Sequence, residues 1–138
     1  MTSPRRGGII VTGGMEMGKF VIRQVATGWK FNLKADNGAV IATSEVYDSQ
    51  AACRKGVESV RKAASSEKLE DQTVEGVKTL SNPKYQVYQD RAGEYRFRLK
   101  ARNGQIVAVS EGYTSHKACM DGVESVRRNG PDGEVEIE

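Results

Sequence analysis

Short segments of alternating hydrophobic and polar residues recur along the chain, and each predicts a half-buried β-strand. The alternation is strictest at residues 95–100, where two aromatic residues and a leucine share one face and three cations share the other. The other predicted strands are residues 20–25, 29–34, 40–44, 84–89 and 106–110. Asn37-Gly38 and Asn103-Gly104 separate the last two strands of each set, and this dipeptide predicts type I′ hairpin turns.

After each set of strands the pattern changes to a helical one. Ser49 and Ser115 stand where N-caps belong, because a serine hydroxyl accepts a hydrogen bond from a free N–H group of the first turn. Small and apolar residues then fall on one stripe at helical spacing: Ala52, Cys53, Gly56, Val57 and Val60, then Ala118, Cys119, Gly122, Val123 and Val126. The glycine in each stripe indicates a close approach between the helix backbone and the sheet. Gly130-Pro131 predicts the end of the second helix.

The two sets of elements are copies of one unit. Residues 31–61 align without a gap onto residues 97–127 at an offset of 66, and 19 of the 31 positions are identical. Self-similarity at a fixed spacing indicates a duplicated folding unit. Each unit is followed by a short β-like segment, residues 74–80 and 134–137, which we interpret as a fourth strand because residues 71–75 resemble residues 132–136.

The pattern therefore predicts an α+β fold of two tandem βββαβ repeats that form one antiparallel sheet with both helices on one face. We interpret residues 1–18 as a flexible N-terminal arm, 19–80 as the first repeat and 81–138 as the second. A repeat of this size buries little surface by itself, so the two are expected to share one compact core. The expected state is a monomer with internal pseudo-twofold symmetry.

Composition describes a globular chain without a membrane segment. Of the 138 residues, 38% are hydrophobic and 28% are charged, and no apolar run approaches the roughly 18 residues of a membrane span. The N-terminus lacks a signal-peptide core, so the cytoplasm is the expected location. Cys53 and Cys119 occupy equivalent positions within the helical stripes, which favours buried packing over a disulfide. The net charge of +3 is too small to indicate nucleic acid by itself.

Three motifs occur in the same order in both copies: F-x-L-K-A-x-N-G, S-E-x-Y-x-S and A-C-x-x-G-V-E-S-V-R. With them the chain resembles the bacterial YegP-like family over about three-quarters of its length. The resemblance implies an α+β fold in which two units, as tandem repeats or as two subunits, form one sheet and exchange their C-terminal strands. It implies no activity and no catalytic residues, since the function of the family is unknown. The N-terminal stretch and the segment at residues 70–82 depart from the family pattern.

A glycine-rich stretch near the N-terminus, residues 13–19, fits the spacing G-x-x-x-x-G-K of a phosphate-binding loop. Such a loop requires a serine or threonine next, followed by a helix whose N-terminus holds the phosphate. Here Phe20 follows and begins a predicted strand, and Lys19 aligns with Lys84, which no glycine loop precedes. The pattern favours a flexible arm over a nucleotide site.

No group of residues forms a convincing catalytic or metal-binding set. Glu45 with Tyr47, and their counterparts Glu111 with Tyr113, could serve as acid and hydrogen-bond donor, but repetition in both copies favours a structural turn. His116 is the single histidine, and with two distant helical cysteines it cannot supply the usual zinc ligands. We therefore expect no cofactor, no metal and no enzymatic activity. The enzyme reading stays open as the least favoured alternative.

The surface that attracts a functional hypothesis is the sheet face away from the helices. Cations gather there with an aromatic residue, and we predict an anion-binding face made of Arg23, Lys30, Lys34, Tyr88, Arg96, Arg98, Lys100 and Arg102. The type I′ register would add Ile41, Val107 and Val109, and no carboxylate falls within those strands on that face. Because Asn32 of the first copy corresponds to Arg98 of the second, the second copy is expected to hold more of the site.

Two functions follow from this surface. The first is a non-enzymatic module that binds an anionic ligand, nucleic acid included, on its basic face. The alternative is a protein-interaction or structural module without such a ligand, which would use exposed strand edges or the N-terminal arm. The lysine and arginine stems would then only cover exposed sheet and protect it from aggregation. Partners that remain bound at high salt would favour the second, because phosphate contacts weaken steeply with salt.

Overall fold

A computed structural model describes residues 18–138, which form one sheet of eight strands and two helices. The predicted N-terminal arm lies outside these residues except for Gly18. The elements in chain order are β1 Lys19–Val25, β2 Gly28–Lys34, β3 Val40–Thr43, α1 Gln50–Ala63, β4 Leu69–Asp71, β5 Lys84–Gln89, β6 Tyr95–Lys100, β7 Ile106–Val109, α2 His116–Asn129 and β8 Glu134–Ile137.

The sheet has the order β4-β5-β6-β7-β3-β2-β1-β8. The first three strands of each unit pair antiparallel, and the two units meet at the centre through β3 and β7, where Thr43 is opposite Val109. The last strand of each unit crosses to the other: β4 lies parallel to β5, and β8 lies parallel to β1. The exchange of C-terminal strands is thus confirmed, although the sheet is mixed and not wholly antiparallel as predicted.

A single apolar cluster lies between the sheet and the helices and draws on both units. Its strand residues with no exposed surface are Phe20, Ile22, Phe31, Leu33, Tyr85, Val87, Phe97 and Leu99. Both helices contribute the stripe that the sequence predicted, since Val57, Val60, Val123 and Val126 are equally buried. Full burial of one such side chain stabilises the fold by about 1.5–3 kcal/mol, and the shared cluster makes that stabilisation depend on both units being folded.

The predicted fourth strand of the first unit is wrong in position. Residues 74–80 form turns and irregular chain, and the strand is Leu69–Asp71. Leu69 is opposite Tyr85 in β5, as Val135 of β8 is opposite Phe20 in β1. The offset of 66 residues therefore continues to the end of each unit, and the likeness of residues 71–75 to 132–136 was misleading.

Both predicted type I′ turns are also wrong. Gly38 N–H donates to the Ala35 carbonyl at 2.9 Å, so the four-residue turn begins at Ala35 and ends at Gly38, which has φ +88°. This is the arrangement of a three-residue hairpin loop, in which a type I turn is followed by a left-handed glycine and a bulge. Gly104 closes the second hairpin in the same way, at φ +86°. The bulge moves the register beyond it by one residue.

The two helices begin as predicted. Ser49 Oγ accepts from Ala52 N–H at 3.0 Å and Ser115 Oγ from Ala118 N–H at 3.1 Å. The glycine within α1 has a specific neighbour: a Cβ at Gly56 would lie 2.3 Å from the Tyr47 hydroxyl oxygen. The close approach is therefore between the helix backbone and a tyrosine ring, and the same contact recurs at Gly122 and Tyr113.

One arginine of each helix fastens the crossing strand of the other unit. Arg61 Nε of α1 donates to the Gly133 carbonyl at 3.1 Å, just before β8, and Arg127 Nε of α2 donates to the Ser66 carbonyl at 3.0 Å, shortly before β4. Each guanidinium also pairs with a glutamate one turn earlier: Glu58 and Glu124. The arginine that ends each copy of the motif V-E-S-V-R thus hydrogen-bonds to the backbone next to the strand exchanged from the other unit.

Candidate functional site: the basic outer face

We call the outer face the side of the sheet turned away from α1 and α2. It carries the residues that alternate with the buried ones, and its cations come from every long strand. Those in β1 and β2 are Lys19, Arg23, Lys30 and Lys34, and those in β5 and β6 are Lys84, Arg96, Arg98 and Lys100. The sequence therefore predicted the location of most of these cations correctly, but the structure shows that they are not equivalent.

A buried carboxylate, which the sequence analysis missed, neutralises one end of the outer face. Glu70 of β4 is 4% exposed, and its Oε1 accepts from Lys84 Nζ at 2.6 Å. The same oxygen accepts from Leu80 N–H at 3.0 Å, and the other accepts from Gln86 Nε2 at 2.6 Å. These hydrogen bonds, that from Lys84 foremost, lower the pKa of Glu70 to about 2. The strands that the prediction considered carry no carboxylate, but the exchanged strand β4 brings one to the same face.

The other end of the face carries the equivalent pair in an exposed setting. Glu136 of β8 lies 3.3 Å from Lys19 Nζ, and the two side chains are 53% and 56% exposed. Because Glu70 and Glu136 are 66 positions apart, the repeat itself was the signal that could have found both. At each end a lysine of the first strand is paired with a glutamate from the exchanged strand.

Two arginines of the second unit are held by their own neighbours. Arg96 Nε donates to Asp90 Oδ2 at 2.6 Å, and this hydrogen bond keeps the pKa of Asp90 below its ordinary value. Arg98 Nε donates to Gln86 Oε1 at 2.7 Å, while its guanidinium carbon lies 4.6 Å from the centre of the Tyr88 ring. Tyr88, the half-buried aromatic residue of the predicted face, is thus already covered by an arginine.

The side chains of four outer-face cations make no hydrogen bond or ion pair to any other residue between 18 and 138: Arg23, Lys30, Lys34 and Lys100. Arg23 and Lys30 are directly opposite each other in the β1–β2 ladder. Like charges at directly paired positions destabilise a sheet, and neither cation forms an ion pair with a carboxylate of residues 18–138. Three of the four belong to the first unit, although the sequence favoured the second.

The bulges remove two residues from the predicted face. Lys34 is opposite Val40, and Lys100 is opposite Ile106. Ile41 and Val107, which the type I′ register placed on the outer face, are 7% and 6% exposed and belong to the apolar cluster. Arg102 lies in the exposed tip of the β6–β7 hairpin, where it lines a cleft beside α1.

The residues considered for catalysis have packing environments. The Tyr47 ring is stacked on Phe31 with centroids 6.5 Å apart, and burial raises its pKa. Burial also raises the pKa of Cys53, and it raises that of Cys119 to about 11, so both thiols stay protonated near neutral pH. His116 Nε2 lies 2.7 Å from Asp71 Oδ2, which joins α2 to the end of β4.

Searches of the described residues add two observations. Residues 18–138 contain no group of three or more histidine, cysteine or acidic side chains placed to hold a metal ion. Neither helix of this part of the chain is long and apolar enough to cross a membrane. The glycine-rich motif at residues 13–19 lies outside the described residues except for Gly18 and Lys19, and Lys19 begins β1 without a helix after it.

Comparison with known proteins places both repeats in one family. The model of a domain of unknown function, DUF1508, matches residues 25–71 and again residues 90–136. The two matches correspond to the two units and end within or next to their exchanged strands. Each match therefore covers one βββαβ unit without most of its first strand.

Relatives of two sizes match the chain. The UPF0339 protein YegP of Yersinia pestis is 34% identical over 117 residues, which cover 84% of this chain and 91% of the relative. A UPF0339 protein of Methanosarcina acetivorans is 54% identical over 52 residues, which cover 38% of this chain but 90% of the relative, so it contains a single unit. The solution structure of yegP from Escherichia coli, a protein of unknown function, has a TM-score of 0.74 at 30% identity and covers 91% of this chain and 97% of that one.

Proposed function

Because the chain belongs to the DUF1508 family of YegP-like proteins, whose function is unknown, we propose a function from the geometry of the outer face: this protein is a non-enzymatic module that binds an anionic ligand there. The observation that carries the proposal is the cross-strand pair of Arg23 and Lys30, two cations that are directly opposite and form no ion pair with a carboxylate of residues 18–138. Such a pair costs stability in the free protein, and an anion bound across β1 and β2 would remove that cost.

The remaining unpaired cations extend this pair across the sheet. Lys34 lies four residues beyond Lys30 on the same strand, about 13 Å away at the rise of a β-strand. Lys100, the counterpart of Lys34 in β6, is level with Lys30 in the register of the sheet, three strand spacings or about 14 Å away. Cations spread over such distances suit an extended polyanion better than a single phosphate. A nucleic-acid strand is one such ligand, recognised through its backbone.

The Tyr88 ring, which Arg98 covers, argues against binding of nucleic acid by base stacking. Single-stranded nucleic acids are held by basic grooves together with exposed aromatic rings on which bases stack. Here Arg98 lies over the Tyr88 ring, so base stacking would first have to displace the arginine. We therefore propose recognition of charge without sequence preference, and the affinity should follow the number of anionic groups in the ligand.

Two triple variants of equal charge test the proposal. Arg23→Gln, Lys30→Gln and Lys34→Gln together remove the unpaired cations of the first unit, while Arg54→Gln, Lys55→Gln and Arg128→Gln remove three exposed cations from the helices. Anisotropy of a labelled short single-stranded oligonucleotide, measured between about 50 and about 200 mM salt, gives the affinity and its salt dependence. The outer-face variant should lose affinity by about tenfold or more, with a salt slope lower by about 0.7 per removed contact.

The control variant should bind within about twofold of the parent, because its charges lie on the opposite side of the molecule. Equal losses in both triple variants would show that only net charge attracts the ligand. Equal affinity of the outer-face variant and the parent would show that the outer face does not bind the ligand at all. Either result rejects the proposal.

A protein-interaction role is the second candidate, and a different segment favours it. The connection between β4 and β5 exposes Val74 and Val77, which are 55% and 42% accessible. Its C-terminal end is fixed, since the Leu80 N–H and carbonyl bind Glu70 and Lys84. A partner that is retained at high salt and lost on Val74→Ser with Val77→Ser would support this role over anion binding.

A further inference from the structure

A concave surface lies away from the outer face, between the last turn of α1 and the tip of the β6–β7 hairpin. It is a cleft of about 440 Å³, lined by Ser59, Lys62, Ala63, Pro83, Ala101, Arg102 and Asn103. This volume is within the range of about 300–1,000 Å³ that is common for small-molecule sites. None of the lining residues is acidic, and the two charged ones are both cations.

The lining divides into an apolar floor and a cationic rim. Ala63, Pro83 and Ala101 are buried or partly buried, and they give the floor no charge. Lys62 and Arg102 are exposed and form no ion pair or side-chain hydrogen bond with another residue of the described chain. An apolar surface beside two unpaired cations suits a compact organic anion, whose body covers the floor and whose charged group reaches the rim.

An unsatisfied polar atom lies close to this cleft. Asn82, which precedes the lining residue Pro83, has a buried side-chain oxygen Oδ1 without a hydrogen-bond partner in the described structure. Its Nδ2 lies 3.3 Å from where a Cβ at Gly104 would be, so the side chain is at the same hairpin tip. Buried polar atoms are normally paired, and a donor group supplied with a ligand or water would satisfy this one.

The equivalent place, between α2 and the β2–β3 hairpin, has different residues. Asn129 takes the place of Ala63, and it is buried with its Nδ2 donating to the Ser125 carbonyl at 2.8 Å. Its Cβ lies 2.6 Å from where a Cβ would be at Gly18, the counterpart of Pro83. The counterpart of Arg102 is Asp36, an acidic residue. The cleft therefore has a small residue and a cation where the equivalent place has a larger residue and an acid.

From this asymmetry we propose that the cleft is a binding site for a small organic anion, a carboxylate or phosphomonoester on an apolar body about the size of one aromatic ring. Lys62 and Arg102 would hold the charged group, and the floor around Ala63 would hold the body. The site is separate from the outer face and does not depend on the function proposed for it. A polyanion would not fit the cleft, whereas a single compact anion would.

Titration of the labelled full chain with phenyl phosphate, benzoate, inorganic phosphate and benzyl alcohol, followed by amide NMR, tests the site. Phenyl phosphate or benzoate should shift the amides of Ser59, Lys62 and residues 101–103, and which of the two binds more tightly identifies the charged group. Inorganic phosphate lacks the apolar body and benzyl alcohol lacks the charge, so each should bind about tenfold more weakly than the tighter of the two aromatic anions. Equal binding of all four probes would overturn the proposal.

Two variants and one control test whether the anion binds in the cleft. Ala63→Asn places in the cleft the residue that stands at the equivalent place, and it should weaken binding about tenfold or more. Arg102→Gln changes an exposed hairpin tip, where folding is not at risk, and should weaken binding of the anion by a similar factor. Arg128→Gln, at the counterpart of Lys62, should leave the affinity unchanged. Shifts confined to the outer face, or unchanged binding by Arg102→Gln, would contradict the proposal.

Discussion

The buried carboxylate at the edge of the sheet provides the sharpest test of how the exchanged strands are held. Glu70 accepts hydrogen bonds from Lys84, Leu80 and Gln86, and its pKa is lowered to about 2 from an ordinary 4.5. This difference corresponds to at most about 3 kcal/mol of stability at neutral pH, and discounting it for solvent screening near the sheet edge leaves about 2 kcal/mol. Glu70→Gln should lower the free energy of unfolding by about that amount.

The sign of the pH dependence follows from the lowered pKa. A carboxylate with a pKa below its unfolded value contributes stability above pH 4.5, and the contribution is lost as the pH falls through about 2. The difference between the parent and Glu70→Gln should therefore be full at about pH 7 and should shrink between pH 4.5 and 2. Urea unfolding followed by the fluorescence of Trp29, the single tryptophan, measures it at each pH.

The chain contains its own control for this measurement. Glu136 is the counterpart of Glu70 in the other unit, but its pair with Lys19 is exposed at 3.3 Å. Surface pairs of this kind contribute about 0–1 kcal/mol, so Glu136→Gln should change little at any pH. Equal losses for the two variants, or a loss for Glu70→Gln that is the same at low and neutral pH, would refute the assignment of a buried ion pair to β4.

Two further perturbations test the packing and the interlocking of the units. Gly56→Ala should destabilise the protein by about 1–2 kcal/mol despite the better helix propensity of alanine, because its Cβ would lie 2.3 Å from the Tyr47 hydroxyl oxygen and 2.7 Å from its Cζ. Thermal unfolding should show a smaller loss in a Tyr47→Ala background, which removes both atoms, and equal losses would exclude the clash. Fragments 18–76 and 77–138 each lack the exchanged strand that pairs with their own first strand, so neither should fold as a separate monomer. When mixed, they should restore the native circular dichroism and the mass of one chain. A fragment that sediments as a folded monomer would contradict the shared core.

Local sequence patterns were sufficient to predict the first three strands and the helix of each unit. At Tyr95–Lys100 every second residue is apolar, and a strand with one buried face has no other way to arrange them. The serines at positions 49 and 115 marked the helix starts correctly because an N-cap acts locally, through its own hydroxyl. The sequence was therefore sufficient to predict those elements whose structure depends on neighbours within a few residues along the chain.

The errors arose where structure depends on distant pairing. β4 has three residues, two of them acidic, and nothing local distinguishes it from a loop; its place is set by Tyr85 and Gln86 of the other unit. The valines at 74 and 77 looked more like a strand, yet they are exposed. Continuing the repeat offset to the end of each unit would have found β4, and with it Glu70.

The predicted cations lie on the outer face, but their pairing could not be predicted, for the same reason. Cations on one face of a strand can be read from alternation, so the outer face was identified in advance. Which of them are already paired depends on Asp90, Gln86 and Glu70, and these lie at a turn, on a neighbouring strand and on a strand that crosses from the other unit. The sequence could not rank Arg23 and Lys30 above Arg96 and Arg98, but the contacts do.

The central claim is that the unpaired cations of the outer face bind an anionic ligand, and a map of amide shifts tests it most directly. Labelled protein would be titrated with a short single-stranded oligonucleotide, and in parallel with a flexible polyanion, at moderate salt. The account predicts salt-sensitive shifts clustered on β1 and β2 around Arg23, Lys30 and Lys34, with weaker shifts near Lys100. Shifts scattered over the helices, or no shifts with either ligand, would contradict it.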